Sequence, residues 1–172
     1  MIRKIQIPVL LLLLLSGGSN ILAQQDTIRL HLRPNVTHDH IQLRWVAGTS
    51  ASWYFTNKNG VIIERYTILR DGNVLATPEK TILTPTPLKP PRLDDWKEIV
   101  EGNPNAAIIA QALYGTDFEV SGGQSGIGAM IALSQEQEQR YAMAMYAADM
   151  SYPAAKFAGW GYEDKTAVKG ET

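Results

Sequence analysis

Residues 41–47, Ile41-Gln42-Leu43-Arg44-Trp45-Val46-Ala47 (IQLRWVA), place Ile41, Leu43 and Trp45 at alternate positions with Gln42 and Arg44 between them. Period-two alternation is the mark of a strand with one wet face and one apolar face. The same pattern lies upstream in Thr27-Ile28-Arg29-Leu30-His31-Leu32-Arg33, with Ile28, Leu30 and Leu32 on one face until Pro34-Asn35 interrupts it. Downstream, VIIERYTILR (Val61 to Arg70) is a third strand-like run closed by Asp71-Gly72. An Asp-Gly pair after such a run signals a tight hairpin, and Val74-Leu75 is its expected short return strand.

The period then changes. Residues 77–92 contain Pro78, Pro85, Pro87, Pro90 and Pro91, a composition for an extended connector that stays out of a central ladder. Helical spacing follows. Asp94 or Asp95 caps a short helix through Glu101. Asn103-Pro104 pairs a capping side chain with proline at the first helical position, and Gly115 ends that helix after Tyr114. Ser121 to Gly128 is glycine-rich and reads as a connector. Ser134, with Gln137 three residues on, forms a capping-box pattern for a long helix to about Met150. Ser151-Tyr152-Pro153 starts a brief helix that ends at Gly159, and Trp160-Gly161-Tyr162 returns to strand character.

Three segments resemble a fibronectin type III domain. They are IQLRWVA, IERYTILRDGNVL (Ile63 to Leu75) and AGWGYEDKTAVKGET (Ala158 to Thr172). Gly161, Tyr162, Asp164, Val168 and Gly170 fit that family's link between its fifth and sixth strands. The chain is also similar to the N-terminal region of large secreted Bacteroidota proteins, which carry such a domain with a helical insertion. The resemblance implies a mainly β fold, a fibronectin type III-like (immunoglobulin-like) sandwich plus a small helical subdomain. Ile28, Leu30, Leu43, Trp45 and Ile68 would form the sandwich core. Its first strands would occupy residues 24–76, a proline-rich connector 77–92, a helical insertion 93–156 and a return to the sandwich 157–172. The last two strands would follow Thr172, leaving the sandwich incomplete within these residues.

The first 23 residues read as a signal peptide. Arg3 and Lys4 precede a short apolar stretch with six consecutive leucines, Leu10 to Leu15, and Ala23 supplies a small residue at the exit. The stretch is shorter than the ~20 residues a membrane-spanning helix needs. Cleavage after Ala23 removes 23 of 172 residues and leaves 149, enough for one domain with a core. The formal net charge is −1, and losing Arg3 and Lys4 takes it to −3, the wrong sign for a nucleic-acid footprint. No cysteine is present, so disulfides, thiolate catalysis and cysteine metal sites are all excluded.

Several patterns invite a chemical reading. His38-Asp39-His40 with His31 is the best metal candidate, because neighbouring strands could bring His31 and His40 together on the wet side. A solvated strand surface explains the same residues without a ligand shell. Ser125 fails the nucleophile-elbow pattern, since Ile127 stands where glycine is needed. Asp94, Asp95, Glu98 and Glu101 sit at a helix start, where carboxylates cap and complement the dipole. Met130, Met143, Met145 and Met150, with Tyr141 and Tyr146, read as a helical face packed on the sandwich. Trp53-Tyr54-Phe55 fall in a predicted loop, where they either form a candidate binding patch for sugar or protein or pack that loop against the helical insertion.

These observations carry no catalytic residue, metal site or cofactor. The expectation is a non-catalytic exported module, structural or adhesive, of a larger secreted or cell-surface bacterial protein. Its partners would be other domains of the same longer chain and a glycan or protein at the cell surface, with no nucleic acid and no transmembrane segment in the mature chain. The competing reading is an accessory domain of a secreted hydrolase whose catalytic domain lies beyond residue 172. Export has a direct check: N-terminal sequencing of secreted material should begin at Gln24, and full-length protein retained in the cytoplasm would contradict it.

Overall fold

A computed structural model describes residues 28–116 and 127–172; the signal segment and most of the Ser121 to Gly128 connector lie outside them. Strand β1 (Leu30–Val36) turns through Thr37 and His40 into β2 (Ile41–Ala47), which leads directly to helix α1 (Ser50–Asn59). Strands β3 (Glu64–Arg70) and β4 (Asn73–Ile82) form a hairpin. Then come a 3-10 turn (Leu93–Trp96), α2 (Lys97–Gly102), α3 (Pro104–Tyr114), α4 (Ile127–Met150), α5 (Tyr152–Phe157) and β5 (Gly161–Asp164).

This architecture corrects the expected mainly β sandwich. Among the described residues helix makes up 44% and strand 29%, and the strands form two small sheets, β1-β2-β5 and β3-β4. The buried core is largely helical. It gathers all four tryptophans, Trp45, Trp53, Trp96 and Trp160, around Ala106, Ile109 and Ala110 of α3, Ala144, Ala147 and Ala148 of α4, and Ala154 and Ala155 of α5. Alternation locates strands but cannot say what covers them. Trp45 is 4% exposed and Leu43 packs against the core, whereas Ile28, Leu30 and Ile68 are 39%, 36% and 47% exposed. No described layer covers those three, so they stand outside the interior assigned to them.

Local chemistry explains most element ends. Asn103 accepts hydrogen bonds from the Asn105 and Ala106 amides at the start of α3. The hairpin turns through Asp71 at φ 51° and Gly72 at φ 77°, a left-handed pair that suits the twist of its strands. Gly159, at φ 74°, lets the chain pass so near Lys89 that an added Cβ would lie 2.8 Å from its backbone. Two boundaries differ from expectation. β4 runs on through Pro78 to Ile82, and the ladder slips between Thr67 and Leu69, as a residue without an N–H requires a break in regular pairing. α4 begins at Ile127, not Ser134, so Ser134 lies inside a helix built on good helix formers. Of the expected methionine and tyrosine face, Met145 and Tyr141 pack against the core, whereas Met130, Met143, Met150 and Tyr146 are exposed and buried alanines take the central contacts.

The hairpin is tied to the rest by polar links. Arg65 of β3 pairs with Asp164 of β5 at 2.5 Å, and Asp164 is 2% exposed. The Tyr162 hydroxyl donates to the Leu83 carbonyl. On the outer edge of β3, Thr172 exchanges backbone hydrogen bonds with Leu69, and Arg70 pairs with both Glu79 and Glu171. Burial pushes the Asp164 carboxyl up, but the Thr166 hydroxyl and amide and the Arg65 guanidinium outweigh it and hold the group below its ordinary value of 3.8. A carboxyl with a depressed folded pKa contributes stability that is present above its unfolded pKa and lost as pH falls through the folded one. Asp164→Asn should cost about 3 kcal/mol near neutral pH, by leaving Arg65 without its charge partner. Chemical denaturation at descending pH should show the wild-type advantage shrinking once pH drops below 3.8; an advantage independent of pH would contradict this role.

Candidate functional site

Residues 53–55 lie in α1, not in a loop. Thr49 caps the helix by accepting from the Ser52 amide, and Gly60 ends it at φ 83°, its N–H donating to the Thr56 carbonyl. An added Cβ at Gly60 would fall 2.6 Å from the Pro87 Cβ, so the exit is also a close chain crossing. Consecutive helical residues diverge by about 100°. Trp53, Tyr54 and Phe55 therefore cannot form one flat patch. Trp53 points into the core at 4% exposure, while Tyr54 and Phe55 stand outside at 61% and 50%.

Trp53 contributes to position instead. Its ring meets Tyr141 of α4 and Trp160 at centroid distances of 6.3 and 6.2 Å, tilted contacts that suit aromatic quadrupoles. The Trp160 indole N–H donates to Asn57, and the Tyr141 hydroxyl donates to the Ala47 carbonyl. α1 is thus held on one side by rings and on the other opens onto a groove of about 640 Å³. Tyr54, Asn57 and Lys58 form one wall. The end of α3, with Leu113 and Tyr114, and the first half of α4, with Leu133, Glu136, Gln137 and Arg140, form the others. Arg140 fixes the angle between these helices. It pairs with Glu136 at 2.7 Å and donates to the carbonyls of Ala112 and Gly115 at the end of α3, where a cation complements the helix dipole.

The groove carries groups that can bind a ligand. The Tyr54 hydroxyl, the Lys58 ammonium and the Gln137 amide have no hydrogen-bond partner among the described residues. None of the described lining residues is Ser, Thr, Cys or His. Tyr114 is a structural donor: burial raises its pKa and its hydroxyl donates to the Pro91 carbonyl. Tyr152, away from the groove, is pushed up to about 12 by burial and by Glu163, and it donates to the Tyr162 carbonyl.

The other candidates separate. His31 pairs with Val46 at one end of the β1-β2 ladder, whereas His40 immediately precedes the Val36–Ile41 pair at the other. Five or more residues of strand, on the order of 17 Å, divide them. His40 is occupied in the turn, bonded to Asp39 and Thr37. No group of three potential ligands that could hold a metal occurs among the described residues. Asp95 accepts from the Arg92 amide as a cap. Ser125 lies outside the described residues. Sequence reasoning missed Tyr114, Glu136 and Arg140 as groove residues. For Glu136 and Arg140 the one signal was the polar run Gln135 to Arg140 inside an otherwise apolar helix; Tyr114 had none.

Comparison with family models, with curated proteins and with solved structures returned no match. No helix among the described residues is long and apolar enough to cross a membrane.

Trp53 and Tyr54 make opposite predictions. Trp53→Ala should destabilise the protein by about 3–5 kcal/mol, as a large buried ring lost from a packed site. Tyr54→Ala should change stability by no more than about 0.5 kcal/mol. Equal losses in chemical denaturation would show that Tyr54 is part of the packing and not a free groove wall.

Proposed function

We propose that this chain is a non-catalytic, exported module of a larger surface or secreted protein, and that it works by adhesion, holding a glycan in the groove between α1, α3 and α4. One observation carries the reading: an exposed tyrosine ring and unpartnered polar groups border a concave surface on helices locked by buried packing. Aromatic rings receive the apolar faces of sugars, and fixed donors and acceptors receive their hydroxyls. A rigid frame lowers the ordering cost of binding. The basic and leucine-rich start of the sequence supports export.

The test is calorimetric titration of the mature protein with neutral oligosaccharides, for example cellotetraose, xylotetraose and mannotriose, with product analysis of each mixture. At least one sugar should bind saturably, and Tyr54→Ala should weaken it tenfold or more while the fold persists. Binding unaffected by Tyr54→Ala, or no binding across the panel, would count against the groove. Turnover abolished by a single substitution would overturn the non-catalytic reading.

A further inference from the structure

A second feature lies on the polar face of the β1-β2 ladder and shares no residue with the groove. There β1 and β2 place Arg33 directly opposite Arg44, next to the His31–Val46 pair. Like charges directly opposed across antiparallel strands are destabilising unless something neutralises them. Arg44 is answered: it pairs with Asp149 at 2.5 Å and donates to the Met145 carbonyl near the end of α4. Even so its Nε is buried without a partner. Arg33 and His31 have no hydrogen-bond or ion-pair partner among the described residues. Two guanidinium groups against one carboxylate leave a local charge of +1. The neighbouring arginine and burial show in Arg44 itself, whose pKa is lowered first by burial, with Arg33 adding to the effect against Asp149.

These side chains surround a cavity of about 370 Å³, lined by His31, Arg33, Arg44, Val46 and Asp149. We propose that this cavity is a binding site for an acidic sugar, held through its carboxylate or sulfate group. The planar fork of Arg33 matches two oxygens of such a group, and the His31 ring can donate a further hydrogen bond. The cavity is too large for a bare anion and sits at the lower end of small-molecule sites, roughly 300–1,000 Å³. The ligand therefore has a body. Val46 is the one apolar wall, so the body is hydrophilic, and the Asp149 carboxylate is placed to accept from its hydroxyls. An oxyanion with a hydroxylated body is an acidic monosaccharide unit. This site goes beyond the neutral-glycan groove and stands or falls separately from it.

The mature protein, labelled with nitrogen-15, should be titrated with glucuronate, glucose 6-sulfate, glucose and inorganic sulfate. Saturable amide shifts around residues 31–33 and 44–46 are expected with glucuronate, glucose 6-sulfate or both, and whichever binds identifies the acidic group. Glucose should bind at least tenfold more weakly. Arg33 is exposed, so Arg33→Gln should keep the fold and weaken the acidic sugar tenfold or more, whereas Tyr54→Ala should leave it unchanged. No saturable shift with either acidic sugar, or equal binding by Arg33→Gln, would overturn the site. Inorganic sulfate binding as tightly as the sugars would overturn the assignment to a sugar.

Discussion

Trp160 is the residue on which three layers meet. Its carbonyl accepts from the Trp45 amide of β2, its ring packs against Trp53 of α1, and its indole N–H donates to Asn57. Its own amide donates to the Ala155 carbonyl at the end of α5. One residue, through its side chain and both of its backbone polar groups, thus binds the sheet, the first helix and the last helix into a single core. A tryptophan suits that position because it buries a large apolar area while its one polar atom still finds a partner. Residues that look unrelated in sequence depend on it, since the tilt of α1 decides which way Tyr54 faces.

Around that point the helices approach one another on small residues. Ala106 of α3, Ala144 and Ala147 of α4, and Ala154 of α5 are fully buried. Alanine lets helix backbones come close with little side-chain entropy lost, and the large rings of Trp53, Trp96, Phe157 and Tyr141 fill the space between. Polar links then set relative positions where packing is thin. Arg65–Asp164 holds the hairpin, Arg140 holds α3 to α4, and Arg44–Asp149 holds the end of α4 to the sheet. Each uses an arginine, whose several fixed donors can serve a carboxylate and carbonyls at once.

The two proposed sites use the surfaces this arrangement leaves open. The groove is walled by three helices whose buried faces are locked, so its Tyr54 and Gln137 project from rigid elements. The cavity on the sheet exists because strand pairing forces Arg33 and Arg44 together while α4 supplies only one carboxylate. Both follow from what is packed beneath them, and neither is announced by a contiguous motif.

Sequence alone determined what local physics controls. Alternation marks Ile41 to Trp45 as strand because side chains on an extended chain must alternate faces. Asp71-Gly72 marks the hairpin turn because both residues tolerate positive φ. Asn103-Pro104 marks the start of α3 because capping and proline geometry act within a few residues. Tertiary structure alone decided what covers each face. Leu30 and Leu43 obey the same alternation, yet Leu43 joins the core and Leu30 stays exposed, because burial depends on elements distant in sequence. The same holds for Trp53, a loop aromatic by its neighbours and a core ring by the positions of Tyr141 and Trp160. Arg33 and Arg44 are eleven residues apart in sequence and become opposite only through the register of two strands, a property of the pair that neither strand carries alone.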